Sequence, residues 1–117
     1  PDYVVIELGG NDGLRGHPLN RVRSNLLAMI DLCRQQNARP VLVAMQLPPN
    51  YGKRYADSFA QLFPKLASEQ EIPLLPFPFE TLVTTEGLLQ QDGIHPTEPA
   101  QPIIKQAVLS ELEKLLP

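Results

Sequence analysis

Apolar residues along this chain change their period several times, and each change marks an element. Residues 3–8 (YVVIEL) are a short, β-branched run that stops at Gly9-Gly10, the pattern of a strand buried on both faces. Leu19, Val22, Leu26, Ile30 and Cys33 then recur at helical spacing with charges on the other side, which predicts an amphipathic helix ending near Asn37. Pro40 opens a second apolar run over residues 41–47 (VLVAMQL). After the loop PPNYG, a second long helix carries Tyr55, Phe59, Leu62, Phe63 and Leu66 on one stripe, with Pro64 inside it as an expected kink. Residues 73–77 (PLLPF) read as a third short strand, and residues 78–91 as a short helix and a loop. Thr97 is the expected cap of a final helix whose face is Ile104, Val108, Leu112 and Leu115.

Strand, helix, strand, helix, strand, loop, helix is the order of a parallel α/β sheet with right-handed crossovers. Ligands of such sheets bind at the carboxyl ends of the strands. Three stretches therefore become candidates for chemistry: residues 9–16, residues 47–52, and the segment ahead of the last helix. At 117 residues the chain is one domain at most, and 43% apolar content suffices for a core.

Two of the three stretches are chemically unusual. GGND (residues 9–12) follows the first strand directly, and DGIHP (residues 92–96) immediately precedes the last helix. In isolation each has a plainer reading: a turn with an Asn or Asp cap for the first, a routine Asp-Gly turn beside a solvated histidine for the second. Far apart in sequence, they nevertheless fall at the same edge of the predicted sheet. A serine hydrolase needs a histidine base, an acid to hold its tautomer, and donors facing the oxyanion. Spacing through a glycine turn lets Asp92 accept the Nδ1–H of His95 and leaves Nε2 as base. Gly9 and Gly10 let the backbone approach a ligand closely, and the Asn11 amide is a candidate oxyanion donor.

With these residues the sequence resembles the SGNH, or GDSL, hydrolases, and within them the bacterial thioesterase I, arylesterase and lysophospholipase group. ELGGNDGLRG, LPPNYGKRY, IPLLPF and DGIHP are similar to that group's segments, in its order. The resemblance implies a flavodoxin-like three-layer α/β/α hydrolase of acyl esters and thioesters, periplasmic or secreted and without a cofactor. It implies Asn11 as oxyanion asparagine, Asp92 as triad acid and His95 as triad base. It also marks a departure: the family's Gly-Asp-Ser nucleophile block, and the block whose glycine completes the oxyanion hole, have no counterpart here. Ser24, Ser58, Ser68 and Ser110 all fall in predicted helices. Residues 1–117 thus read as the C-terminal part of one SGNH domain, with the nucleophile and the N-terminal strands upstream. The abrupt start at Pro1-Asp2, without Met or signal peptide, fits a piece of something longer.

Gly10, Leu14, Leu47 and Pro48 belong to strand-end loops and are expected to contact substrate, the last three as an acyl-chain wall. Arg15 and His17 either touch substrate or sit in a solvated loop, and Tyr51 packs beneath its loop. Glu7 stands oddly in a buried strand, at an edge position or with a buried partner.

Charge and composition close off other classes. A net charge of −3 and a pI of about 5.3 argue against nucleic acid, and no apolar run approaches the ~20 residues of a membrane span. The single cysteine, Cys33, allows no internal disulfide. No His-x-x-x-His or compact cluster suggests a metal. GGNDGLRGHP lacks the Gly-x-Gly-x-x-Gly or Walker spacing of a phosphate- or flavin-binding module. The rival from another class is a truncated, non-catalytic α/β module. Without its upstream strands, the run at residues 3–8 is an open sheet edge expected to drive dimerisation or aggregation.

Overall fold

Short β-branched runs separated by long amphipathic helices fold most simply with the strands parallel and the helices crossing between them. In the computed structural model, which describes residues 1–117 apart from the side chain of Pro49, β1 (Tyr3–Ile6) and β2 (Arg39–Val43) are parallel, Val5 opposite Val41 and Ile6 opposite Leu42. β3 (Leu74–Leu75) completes a three-stranded sheet in the order β1-β2-β3. Beside it the Pro73 carbonyl accepts the Leu42 N–H at 3.0 Å. A short α1 (Gly10–Leu14) and then α2 (Leu19–Gln35) connect β1 to β2, and α3 (Lys53–Gln70) connects β2 to β3. α4 (Phe79–Thr84) and α5 (Gln101–Leu112) follow. The α/β class with a parallel sheet is as the sequence predicts. No helix of the described residues is long and apolar enough to cross a membrane.

The chain forms two compact units, Pro1–Leu74 and Leu75–Pro117. In the first, the stripes predicted for α2 and α3 meet over the sheet: Val22, Leu26 and Ile30 pack with Phe59, Phe63 and Leu66 against Ile6 and Leu42. Phe59 and Phe63 meet edge to face, with ring centroids 5.2 Å apart at 65°. α2 stops where expected. Asn37 takes a left-handed φ of 57°, and the Ala38 N–H turns back to the Cys33 carbonyl at 2.9 Å. α3 runs unbroken through Pro64, which is exposed. In the second unit Leu82, Leu88 and Ala100 form a small core, with Phe77, Ile103 and Ile104 packed against it.

Three expectations need correction. Burial on both faces belongs to β2, where Pro40 to Val43 are all buried; β1 buries only Ile6, and Val5 is 42% exposed. Among these residues β2 is central and β1 an edge with one neighbour, the open edge the sequence predicts for residues 3–8 in the absence of upstream strands. Glu7 is correspondingly exposed rather than a buried acid. Second, the face proposed for the final helix stays partly exposed, for α5 has no fully buried residue. Third, Thr97 does not cap with its side chain. Its hydroxyl donates to the Gly87 carbonyl at 2.7 Å, and its backbone carbonyl accepts the Ala100 N–H of a 3-10 turn leading into α5.

α1 sits on the first core by close approach. A Cβ on Gly13 would lie 2.5 Å from Phe59 Cε2 and 2.9 Å from Leu47 Cδ2, both on buried side chains. Gly13→Ala is expected to destabilise the protein by about 1–3 kcal/mol, because the added methyl overpacks a filled core. Urea denaturation would show this as a lowered midpoint at unchanged m; an unmoved midpoint would mean that the seat has slack.

Candidate active site

Two polar turns carry the residues of interest, one in each unit. The first begins where β1 ends. Gly9 adopts φ 100°, a left-handed conformation that a side chain would strain, and so turns the chain sharply into α1. Asn11 is the second residue of α1 and is exposed. With Gly10, Glu7, Leu8, Met29 and Met45 it borders a cavity of about 300 Å³ at the carboxyl end of β1. That is the end of the sheet at which an α/β fold offers a ligand site.

Of the other residues named from sequence, Gly10 lines this cavity, whereas Leu14, Leu47 and Pro48 are not among its lining residues. Leu47 is buried at 5% exposure within the core, beneath Gly13, so in this packing it backs the α1 segment instead of facing open space. Leu14 is partly buried against the same core, as is Tyr51.

The segment after α1 is tied back in a way the sequence reading missed. The His17 N–H donates to the Asp12 carbonyl at 3.0 Å, and His17 Nδ1 lies 3.4 Å from Asp12 Oδ1. The Tyr55 hydroxyl, arriving from α3, donates to the His17 carbonyl at 2.6 Å. Burial, and secondarily the Asp12 carboxylate, raise the Tyr55 phenol above its ordinary 10.0, so it remains a donor at neutral pH. Tyr55 had been visible only as part of the apolar stripe of α3, and its hydroxyl left no trace in the hydrophobic pattern.

The second turn holds Asp92 and His95. A two-residue antiparallel bridge, Leu89 to Pro96, closes it, and the Gln90 N–H donates to the His95 carbonyl at 2.8 Å. Gly93 turns the corner at φ 69°, its N–H on the Gln90 carbonyl at 2.9 Å. Folded back over this corner, Asp92 Oδ1 accepts the N–H groups of Ile94 at 2.9 Å and His95 at 3.0 Å. The other carboxylate oxygen, Oδ2, lies 2.6 Å from His95 Nδ1. An ionised carboxylate only accepts, so the proton is on Nδ1 and Nε2 of the neutral ring is the available base.

The side chains of His95 and Asp92 are 65% and 41% exposed, so the couple is held by its own turn and not by burial. The hydrogen bond from His95, and after it the N–H groups of Ile94 and His95, lower the Asp92 pKa from 3.8 to about 2. No serine competes for a role in either turn. Ser24 lies on α2, Ser58 and Ser68 on α3 and Ser110 on α5, all exposed, and the Ser110 hydroxyl is engaged with the Ala107 carbonyl.

The chain is similar to several known proteins. Residues 1–101 match the model of the GDSL-like lipase/acylhydrolase family. The chain is 47% identical over 116 residues to an arylesterase of Vibrio mimicus, covering 99% of this chain and 58% of the relative. It is 41% identical over 116 residues to thioesterase 1/protease 1/lysophospholipase L1 of Escherichia coli strain K12, covering 99% of this chain and 56% of the relative. The crystal structure of a protein called TesA superimposes with a TM-score of 0.91 at 42% identity, over 99% of this chain and 64% of that one. The chain therefore spans little more than half the length of the two sequence relatives.

The pKa of Asp92 supplies a direct test of the second turn. A carboxylate that binds its proton less readily when folded holds the turn in full above its ordinary pKa of 3.8, and the hold is lost as pH falls through about 2. NMR titration of the Asp92 carboxyl carbon should give a midpoint near 2, with the Ile94 and His95 amides moving in step. In His95→Ala the midpoint should climb back toward 3.8. A midpoint indifferent to that substitution would contradict the couple.

Proposed function

Because the chain belongs to the GDSL-like lipase/acylhydrolase family, we propose that its parent protein hydrolyses acyl esters or thioesters through a Ser-His-Asp triad. In it Asp92 is the acid and His95 the base, and the serine stands in a segment upstream of these 117 residues. The observation that carries this reading is the 2.6 Å contact between Asp92 Oδ2 and His95 Nδ1, which leaves Nε2 of the neutral ring as base. The relatives' names, an arylesterase and a thioesterase/lysophospholipase, supply the class of substrate.

In the proposed reaction the serine Oγ attacks the acyl carbon while His95 Nε2 takes its proton, and the imidazolium is stabilised by the Asp92 carboxylate. Asn11 donates its side-chain amide to the oxyanion, an interaction gained only as charge develops on that oxygen. Collapse expels the alcohol or thiol with the proton from His95. Water, deprotonated by the same ring, then releases the acid. Leu14 and Pro48 provide apolar surface for the acyl chain, each buried CH₂ contributing about 0.8 kcal/mol, and Gly10 beside Asn11 lets the acyl carbonyl approach the backbone.

For the 117-residue chain by itself we propose no esterase activity, since its four serines are exposed helix residues. β1 stands at the edge of the sheet, and Val5 and Leu8 are 42% and 54% exposed. Such an edge invites another strand, from the upstream segment or from a second copy of the chain.

The experiment is steady-state hydrolysis of p-nitrophenyl esters by the parent protein carrying its Gly-Asp-Ser segment. kcat/KM should rise from acetyl to medium-chain acyl esters. His95→Ala should abolish turnover, and Asp92→Asn should lower kcat by up to about 10⁴ through a misoriented tautomer. Near-normal turnover in His95→Ala would remove it from the mechanism.

A further inference from the structure

The Asn11 amide can serve an oxyanion only if α1 is held still, and α1 cannot hold itself. It has five residues, whereas isolated helices below about 12–15 residues are marginal in water. The helix itself is seated: a Cβ on Gly9, just before it, would stand 3.4 Å from Phe63 Cζ, Gly13 sits on Phe59, and Leu14 packs partly buried against the same core. The residues that follow it have no such seat, because Arg15 and Gly16 are exposed and a Cβ on Gly16 would meet nothing within 4 Å. There the Tyr55 hydroxyl donates to the His17 carbonyl at 2.6 Å. The His17 N–H returns to the Asp12 carbonyl at 3.0 Å and the His17 ring lies 3.4 Å from the Asp12 carboxylate. Asp12 is the immediate neighbour of Asn11.

We propose that Tyr55 is a positioning residue for the Asn11 oxyanion donor, tethering the segment that follows α1 to α3 through the His17 carbonyl, with the Asp12–His17 contacts carrying the restraint back to Asn11. The inference rests on the proposed role of Asn11. Tyr55 suits the task, since its ring packs against the core of the first unit while its hydroxyl reaches out of that core. A tether of this kind acts on catalysis by geometry: misplacing a reacting group by about 1 Å costs up to about 10²-fold in rate. Losing the donor itself costs about 10²–10³. The tether should therefore matter less than the donor, and matter only while the donor is present.

The test is a double-mutant cycle in the parent protein, with ester hydrolysis and thermal melting measured on each variant. Tyr55→Phe removes the hydroxyl and keeps the ring. It should lower kcat about 10-fold with KM within about two-fold of wild type. In the Asn11→Ala background it should have no further effect on kcat, because there is no donor left to position. A purely structural role for the hydroxyl would instead lower the melting temperature and affect both backgrounds equally. Unchanged kcat in Tyr55→Phe, or additive losses in the cycle, would overturn the inference while the oxyanion reading stands. Unchanged kcat in Asn11→Ala would overturn that reading, and the inference with it. Should Tyr55→Phe fail to fold, Asp12→Ala removes the carboxylate contact to the His17 ring, the side-chain part of the same restraint. It should then show the kcat loss and the same non-additivity with Asn11→Ala, and its absence would be equally decisive.

Discussion

Everything at the end of β1 depends on how closely a backbone approaches two phenylalanine rings. Phe59 and Phe63 form an edge-to-face pair on α3, and α1 lies directly on them through Gly13 and Gly9. No larger residue fits at Gly13, where even a methyl carbon would stand 2.5 Å from a ring atom. Gly9 must in addition adopt φ 100° to redirect the chain from strand to helix. Gly13 is thus a packing requirement and Gly9 a conformational one: together they let a helix too short to be stable alone borrow its stability from the core. The exposed Asn11 acquires a defined position as a consequence.

The Asp92–His95 couple is built on the opposite plan. It has almost no burial to rely on, and its geometry is written into four consecutive residues, Asp92 to His95. Gly93 supplies the left-handed corner, the two N–H groups of Ile94 and His95 anchor one carboxylate oxygen, and the other oxygen is left for the ring. The anchoring and the ring contact together depress the Asp92 pKa, which keeps the carboxylate charged and an acceptor for the Nδ1–H of the ring. A hydrolase of this family needs just that tautomer, with Nε2 as base.

This difference explains what was legible in the sequence. Local devices were readable: the Asp-Gly-x-His turn, the Gly-Gly punctuation after β1, the stop at Asn37, and the stripes of α2 and α3 all follow from short-range spacing. Long-range ones were not. Residues 3–8 have the composition of a strand buried on both faces, but among these 117 residues they form the open edge and bury only Ile6. Leu47 looked like a loop residue facing substrate, but it is sealed under Gly13. The tie from Tyr55 to His17 crosses 38 residues of sequence to a backbone carbonyl, which no side-chain pattern records. Thr97 carried the expected cap identity, but its hydroxyl found the Gly87 carbonyl instead.

The central claim is that these residues hold the acid, the base and the oxyanion donor of a serine hydrolase while the nucleophile stands elsewhere. A serine-directed fluorophosphonate probe, read by intact mass, tests it most directly on the 117-residue chain and on the parent protein side by side. The account predicts a single adduct on the parent protein, at a serine upstream of Pro1, and none on the chain of 117 residues. An adduct on Ser24, Ser58, Ser68 or Ser110 would contradict it.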